Sequence, residues 1–239
     1  MLTKPFEIRY DELDTQAHIG PVTLLRCFQE AAALDAASFA FGWEQLQKNN
    51  LSWVLTHMQL EMLAQNIAKQ TIFIKTWHAF SDKILSRREF EITGADGSLL
   101  ARGASWWILM DTQKRRITKN PPQLLALNPQ EPTYIMQEEN FKRPLPPNTP
   151  LSAEKTFAVR AEDLDLNGHV NNVHYAAWAL ESAPQGKELH KLLINFKNEC
   201  RAGEVLDAFA YAETPQIYQH VLKRRSDGKE AAHVITFWQ

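Results

Sequence analysis

The chain has 239 residues, 44% of them hydrophobic, enough for one large domain or two modules of about a hundred residues each. A formal net charge of -2 leaves no overall basic field for nucleic acid. Two cysteines, Cys27 and Cys200, do not make a disulfide framework, and reduced thiols fit better.

The opening residues, MLTKPFEIRY, lack the apolar core of a signal peptide. No apolar run reaches the roughly 20 residues of a membrane span. Asp35 interrupts the best candidate. A cytoplasmic protein is therefore expected.

From Phe6 the chain reads as a strand, a polar loop and a helix. Leu25, Phe28, Ala32, Ala36 and Phe39 recur at helical spacing, and Gly42 is the expected stop. Val54–Met62 alternates as a strand, with Val54, Met58, Leu60 and Met62 on one face. Strand-like runs follow in TIFIKTWHAF and SRREFEITGADGSLLARGASWWILMD, with GADGS as a hairpin turn. Residues 121–150 hold eight of the twelve prolines. That composition reads as a crossover or linker, parts of which are expected to pack on the domains.

The pattern then repeats. FAVRAEDLDLNGHVNNVHYAAWALESA from Phe157 aligns without a gap to FEIRYDELDTQAHIGPVTLLRCFQEAA from Phe6. Arg9 matches Arg160, Asp14 matches Asp165, His18 matches His169 and Glu30 matches Glu181. This is an internal duplication of one supersecondary unit. In the second copy Tyr175, Trp178 and Ser182 follow one helix face, and Pro184 stops the helix early. Leu192–Cys200, VLDAFAYAE and AAHVITFWQ read as strands, with RSDGKE as a turn. The expected architecture is α+β: one helix followed by an antiparallel sheet, twice.

Glu162–Asn172, EDLDLNGHVNN, concentrates polar groups just before a buried helix. If extended, it shows Asp165, Asn167 and His169 on one side and Leu164, Leu166 and Val170 on the other, with Gly168 permitting a bend. Backbone N–H groups at Asn171–Val173, where the helix starts, would point to the same place. A carboxylate, an amide, an imidazole and free N–H groups suit acyl hydrolysis. Asn and Asp before a helix are also common caps and turn formers, so residue types alone do not establish a site. The first copy keeps Asp14 and His18 but has Gln16 for Asn167 and Gly20–Pro21 for Asn171–Asn172. That divergence fits one chemical loop and one relieved of chemistry.

The segment DLDLNGHVNNVHYAAWALESAP resembles the signature of plant and bacterial acyl-[acyl carrier protein] thioesterases. LSWVLTHMQLEM, RGASWWILMDTQKRRITKNP and NECRAGEVL extend the resemblance over most of the chain, in the family's order. It implies two tandem hotdog folds, each a long central helix wrapped by an antiparallel sheet. The expected divisions are 1–125 for the acyl-binding hotdog, 126–150 for the linker and 151–239 for the catalytic hotdog. It also implies hydrolysis of fatty acyl thioesters on acyl carrier protein. Scattered histidines without metal-ligand spacing and the lack of a glycine-rich phosphate loop make a metal or a nucleotide cofactor unexpected. Asp165, Asn167 and His169 match the family's catalytic loop, and Glu199 or Cys200 its later catalytic position. Alternation along the strand sets Cys200 with Leu192, Ile194 and Phe196 in the core and Glu199 with Asn195 and Lys197 on the polar face. Glu199 is thus favoured over Cys200. Asn167 and a helix-start N–H would hold the thioester oxygen, Glu199 and His169 would place and deprotonate water, and Asp165 would orient His169 or the loop and share in holding the water.

Basic clusters at Gln113–Lys119 and Lys223–Arg225 are either solvated loop ends or a landing patch for an acidic carrier. An acyl-CoA thioesterase, a silent acyl-binding hotdog and a hotdog dehydratase are the competing expectations. Monomer and homodimer both fit a tandem pair, and the short amino terminus fits a bacterial member.

Overall fold

The computed structural model describes residues 1–182, 184 and 186–239. The chain divides into two compact units, Met1–Glu138 and Glu139–Gln239. No described helix is long and apolar enough to cross a membrane.

The first unit runs β1 (Leu2–Glu7), a 3-10 turn (Tyr10–Glu12), α1 (Pro21–Ser38), α2 (Trp43–Gln47), β2 (Leu51–Met62), β3 (Thr71–Ser81), β4 (Leu85–Thr93), β5 (Leu99–Asp111), β6 (Arg116–Ile117) and α3 (Pro122–Leu125). Its strands lie in the order β1-β3-β4-β5-β2, all antiparallel, with β6 added to β5.

The second unit runs β7 (Leu151–Ala158), a 3-10 turn (Ala161–Asp163), α4 (Asn172–Leu180), β8 (Leu189–Phe196), β9 (Val205–Thr214), β10 (Ile217–Arg224) and β11 (Glu230–Trp238). Its order, β7-β9-β10-β11-β8, repeats that of the first unit strand for strand. The duplication is therefore topological as well as sequential. The pattern does not announce β10, because Gln219, His220, Val221 and Leu222 are all buried and no alternation survives.

Each helix lies on one face of its sheet. In the first unit Phe28 of α1 stacks on Phe90 of β4, with ring centroids 4.3 Å apart. Gly103 of β5 makes that approach possible, since a Cβ there would overlap the Phe28 ring and the Gln59 carbonyl. Gly103→Ala is expected to destabilise the protein by about 1–3 kcal/mol through overpacking, measured by chemical denaturation. In the second unit Tyr175 and Trp178 of α4 meet Phe196 and Phe157 respectively. At nine residues, α4 is half the length of α1.

Two local expectations are corrected. Gly42 does not end the first helix: α1 stops at Ser38, Ala40 turns to φ 65°, and Gly42 caps the start of α2. Val54 does not share a face with Met58. A bulge at Thr56 slips the β2–β5 register, so Leu55 is buried alongside Met58 instead.

The proline-rich stretch is tied down by side chains of the sheets. Trp77, Glu89 and Gln59 form a row on the sheet face opposite Phe90. Trp77 Nε1 donates to Thr133 O, Gln59 Nε2 to Gln137 O, and the Ile135 and Met136 N–H groups to Glu89 Oε2. In the second unit Lys191 pairs with Glu139, and Gln219 Nε2 donates to Pro144 O.

Candidate active site

The polar loop is a tight turn, not an extended segment. Leu164 and Val170 form a β-bridge at its base. Asp165 N–H donates to His169 O at 2.7 Å, and Gly168 N–H to Asp165 O at 3.0 Å. The Asp165 carboxylate folds back to accept from the Asn167 N–H at 2.8 Å and the His169 N–H at 3.2 Å. This is an Asx-type turn closed by Gly168 at φ 75°. Leu166 sits at its tip, 80% exposed, and anchors nothing. The extended form gives way because local side chain–backbone bonds win, and of the three apolar residues expected to anchor the loop Val170 is buried, Leu164 half-buried and Leu166 exposed.

The first copy builds the same turn. Asp14 N–H donates to His18 O, Ala17 N–H to Asp14 O, and Asp14 Oδ1 accepts from Gln16 and His18 N–H. Ala17, in the place of Gly168, takes φ 63°. Ile19 N–H donates to Ile67 O and Val170 N–H to Cys200 O, each at 2.8 Å. These bonds make Ile67 the counterpart of Cys200, Asn66 that of Glu199, and Ala68 that of Arg201.

Among the described residues, the second copy brings a carboxylate to the loop imidazole and the first does not. His169 Nε2 lies 3.2 Å from Glu199 Oε2, with the two side chains 22% and 34% exposed. Asn167 is exposed on the same turn. The strand-alternation argument for Glu199 does not hold, because β8 ends at Phe196. Beyond it, Lys197 and Asn198 N–H both turn to Ala231 O. Arg224 Nη1 holds the Glu199 carbonyl at 2.8 Å. Glu199 therefore reaches His169 from an irregular segment.

Cys200 is fully buried beside Tyr175, like its counterpart Ile67. Burial pushes its thiol up, and the Tyr175 hydroxyl bond works against that. A buried thiol with a raised pKa is a poor nucleophile. Of the expected helix-start donors, Asn171 N–H is taken by Asp163 O and Val173 N–H by the Asn171 side chain. Asn172 N–H is the remaining candidate of the three. Among the described residues no three His, Cys, Asp or Glu side chains converge as metal ligands.

Residues 1–127 match the family model for the acyl-ACP thioesterase N-terminal domain, and residues 148–239 that for the acyl-ACP thioesterase C-terminal domain. The chain belongs to the acyl-ACP thioesterase family. It is 30% identical over 256 residues to a chloroplastic palmitoyl-acyl carrier protein thioesterase of Cuphea hookeriana, covering 98% of this chain and 61% of that protein. It is 26% identical over 272 residues to the chloroplastic oleoyl-acyl carrier protein thioesterase 1 of Arabidopsis thaliana, covering 98% and 75%. The chain thus spans about six tenths of the length of the Cuphea relative.

Two solved structures share the fold. An acyl-ACP thioesterase from Bacteroides thetaiotaomicron has TM-score 0.85 at 19% identity, covering 99% of this chain and 97% of that one. The 12:0-ACP thioesterase from Umbellularia californica has TM-score 0.81 at 21% identity, covering 100% and 96%. The two units are tandem hotdog folds.

In this acyl-ACP thioesterase family member the residue pattern missed two groups around the loop. Asp163, 1% exposed, accepts from the Arg160 N–H at 2.8 Å and lies 3.7 Å from His174 Nδ1. Its carboxyl is held below the usual range by Arg160 and His174 against the effect of burial. Its signal was Glu12, which bonds Arg9 in the same way in the first copy. The other missed residue is Arg201, beside Glu199. Of the basic clusters, Lys223–Arg225 is largely committed to internal pairs: Arg224 to Asp227 and Arg225 to Asp207. Lys114, Arg115, Arg116 and Lys119 are exposed in the first unit.

Proposed function

We propose that this chain hydrolyses the thioester joining a fatty acyl group to acyl carrier protein, releasing free fatty acid and ending chain elongation. One observation carries the reading. Two loops share a hydrogen-bond pattern, yet among the described residues it is the second that sets a carboxylate 3.2 Å from its imidazole. A scaffold shared by both copies, with one chemically equipped, fits a catalytic loop better than a pair of structural turns.

The step uses the groups on that loop. Glu199 and His169 hold a water and take its proton as oxygen adds to the thioester carbonyl carbon. The Asn167 amide, with the Asn172 N–H, donates to the oxygen as charge develops on it. The tetrahedral intermediate then collapses, the C–S bond breaks, and the thiol leaves with the proton returned through His169. Asp165 holds the turn in shape, as Asp14 does in the copy without the acid. Cys200 is a buried neighbour and forms no bond to the acyl group. The acyl chain is assigned to the first hotdog, with the carrier protein as partner and the cytoplasm as the site of action.

The test is free-thiol release from matched acyl-carrier-protein and acyl-CoA panels across chain lengths. Faster turnover of the carrier-linked panel, peaking at one length, is expected. Preference for the CoA panel would make this an acyl-CoA thioesterase using the same loop. A folded protein that binds fatty acid but turns over neither panel would be a silent acyl binder.

A further inference from the structure

Three of the differences between the second loop and its silent twin matter here. Asn167 replaces Gln16, Glu199 replaces Asn66 and Arg201 replaces Ala68. The first two have roles in the reaction proposed above. The third has none, although it lies at the centre of the site. Arg201 Nη2 is 3.3 Å from Glu199 Oε1 and 3.4 Å from His169 Nε2.

The contacts have a definite geometry. Glu199 meets His169 through Oε2 and Arg201 through Oε1, so its carboxylate is spanned by two donors-in-waiting. His169 Nε2 can donate to Glu199 only when it carries a proton, and can accept from Arg201 only when it does not. The two contacts of that nitrogen exclude each other. Arg201 is itself placed: its N–H donates to Glu204 Oε2 at 2.7 Å, and Glu204 lies 3.6 Å from Arg224 Nε. The charged groups around the pair are thus Asp165 on the turn, Glu199, Arg201 and Glu204 on the segment after β8, and Arg224 on β10.

We infer that Arg201 is a positioning residue for the hydrolytic pair, fixing the Glu199 carboxylate toward His169 in either protonation state and donating to His169 Nε2 when that nitrogen carries no proton. Both contacts come from the one nitrogen Nη2, whose place is set more tightly by a planar guanidinium than by a flexible ammonium. Its side chain is 62% exposed, so its loss removes little stability. The catalytic consequence rests on the thioesterase reading; the geometric one does not.

The test uses Arg201→Ala and Arg201→Lys in the full chain, with two readouts. The first is the kcat and KM for acyl-carrier-protein hydrolysis. Arg201→Ala is expected to lower kcat roughly 10–100-fold, as small misplacements of reacting groups do. KM should change little, and Arg201→Lys should recover part of the loss. The second readout is the side-chain 15N shifts of His169, which report the protonation of each ring nitrogen without any turnover. They should move in Arg201→Ala and less in Arg201→Lys, with an unaltered melting temperature. Unmoved His169 shifts would overturn the inference whatever the rates do. Moved shifts with unchanged kcat, or a rise in KM alone, would overturn its catalytic part. A wild-type protein inactive on all thioesters would instead refute the thioesterase reading, leaving the His169 shifts to decide the positioning.

Discussion

Glu199→Ala and Asn167→Ala are each expected to lower kcat/KM on acyl thioesters by about 10²–10³, the scale of losing one oxyanion donor or one general base. Cys200→Ala should keep most of the activity. The contrast follows from placement. Glu199 lies 3.2 Å from His169 and is partly open to solvent. Cys200 is fully buried, and burial pushes its thiol up. A nucleophile needs thiolate character and access, and Cys200 has neither. The matching experiment is steady-state hydrolysis by the three variants, each shown by circular dichroism to be folded. Equal losses in all three would break the assignment of roles.

The largest stability effect is expected at Asp35. Asp35 Oδ2 on α1 lies 2.6 Å from Arg88 Nη1 on β4, with the side chains 3% and 8% exposed. Arg88 also donates to Thr76 Oγ1, which in turn donates to Glu89 O. Burial depresses the guanidinium's proton affinity, and Asp35 restores part of it. Asp35→Ala strands a buried cation and should cost about 3–5 kcal/mol. Replacing both partners, Asp35→Leu with Arg88→Met, should cost far less, because a buried pair is worth little net against apolar side chains of similar size. Urea denaturation of the two variants separates these cases. A double variant as unstable as Asp35→Ala would show that the loss comes from packing, not from the unpaired charge.

What could be read from residues alone was whatever is built locally. The turn around Asp165 is made by bonds within five residues, and so is its twin around Asp14. Matching the two strings was therefore enough to find the duplicated unit. The strand order within each sheet was not legible in this way, since β10 carries no alternation. The approach of Glu199 to His169 is not a matter of strand alternation. It depends on β8 ending at Phe196 and on long-range bonds from Val170, Ala231 and Arg224, none of which leaves a local pattern. Arg201 was hidden for the same reason. Its equivalence to Ala68 rests on the paired Val170–Cys200 and Ile19–Ile67 bonds, because the two segments differ in length. Asp35 was noticed only as a charge interrupting an apolar helix, since its partner lies 53 residues away.

The most direct test of the account is single-turnover hydrolysis of acyl-carrier-protein by the wild type and Cys200→Ser, followed by intact-protein mass spectrometry at each time point. Water attack guided by Glu199 and His169 predicts free fatty acid from both proteins and no acyl adduct at any time. An acyl mass on the wild type during turnover, together with a folded but inactive Cys200→Ser, would show that the cysteine carries the reaction.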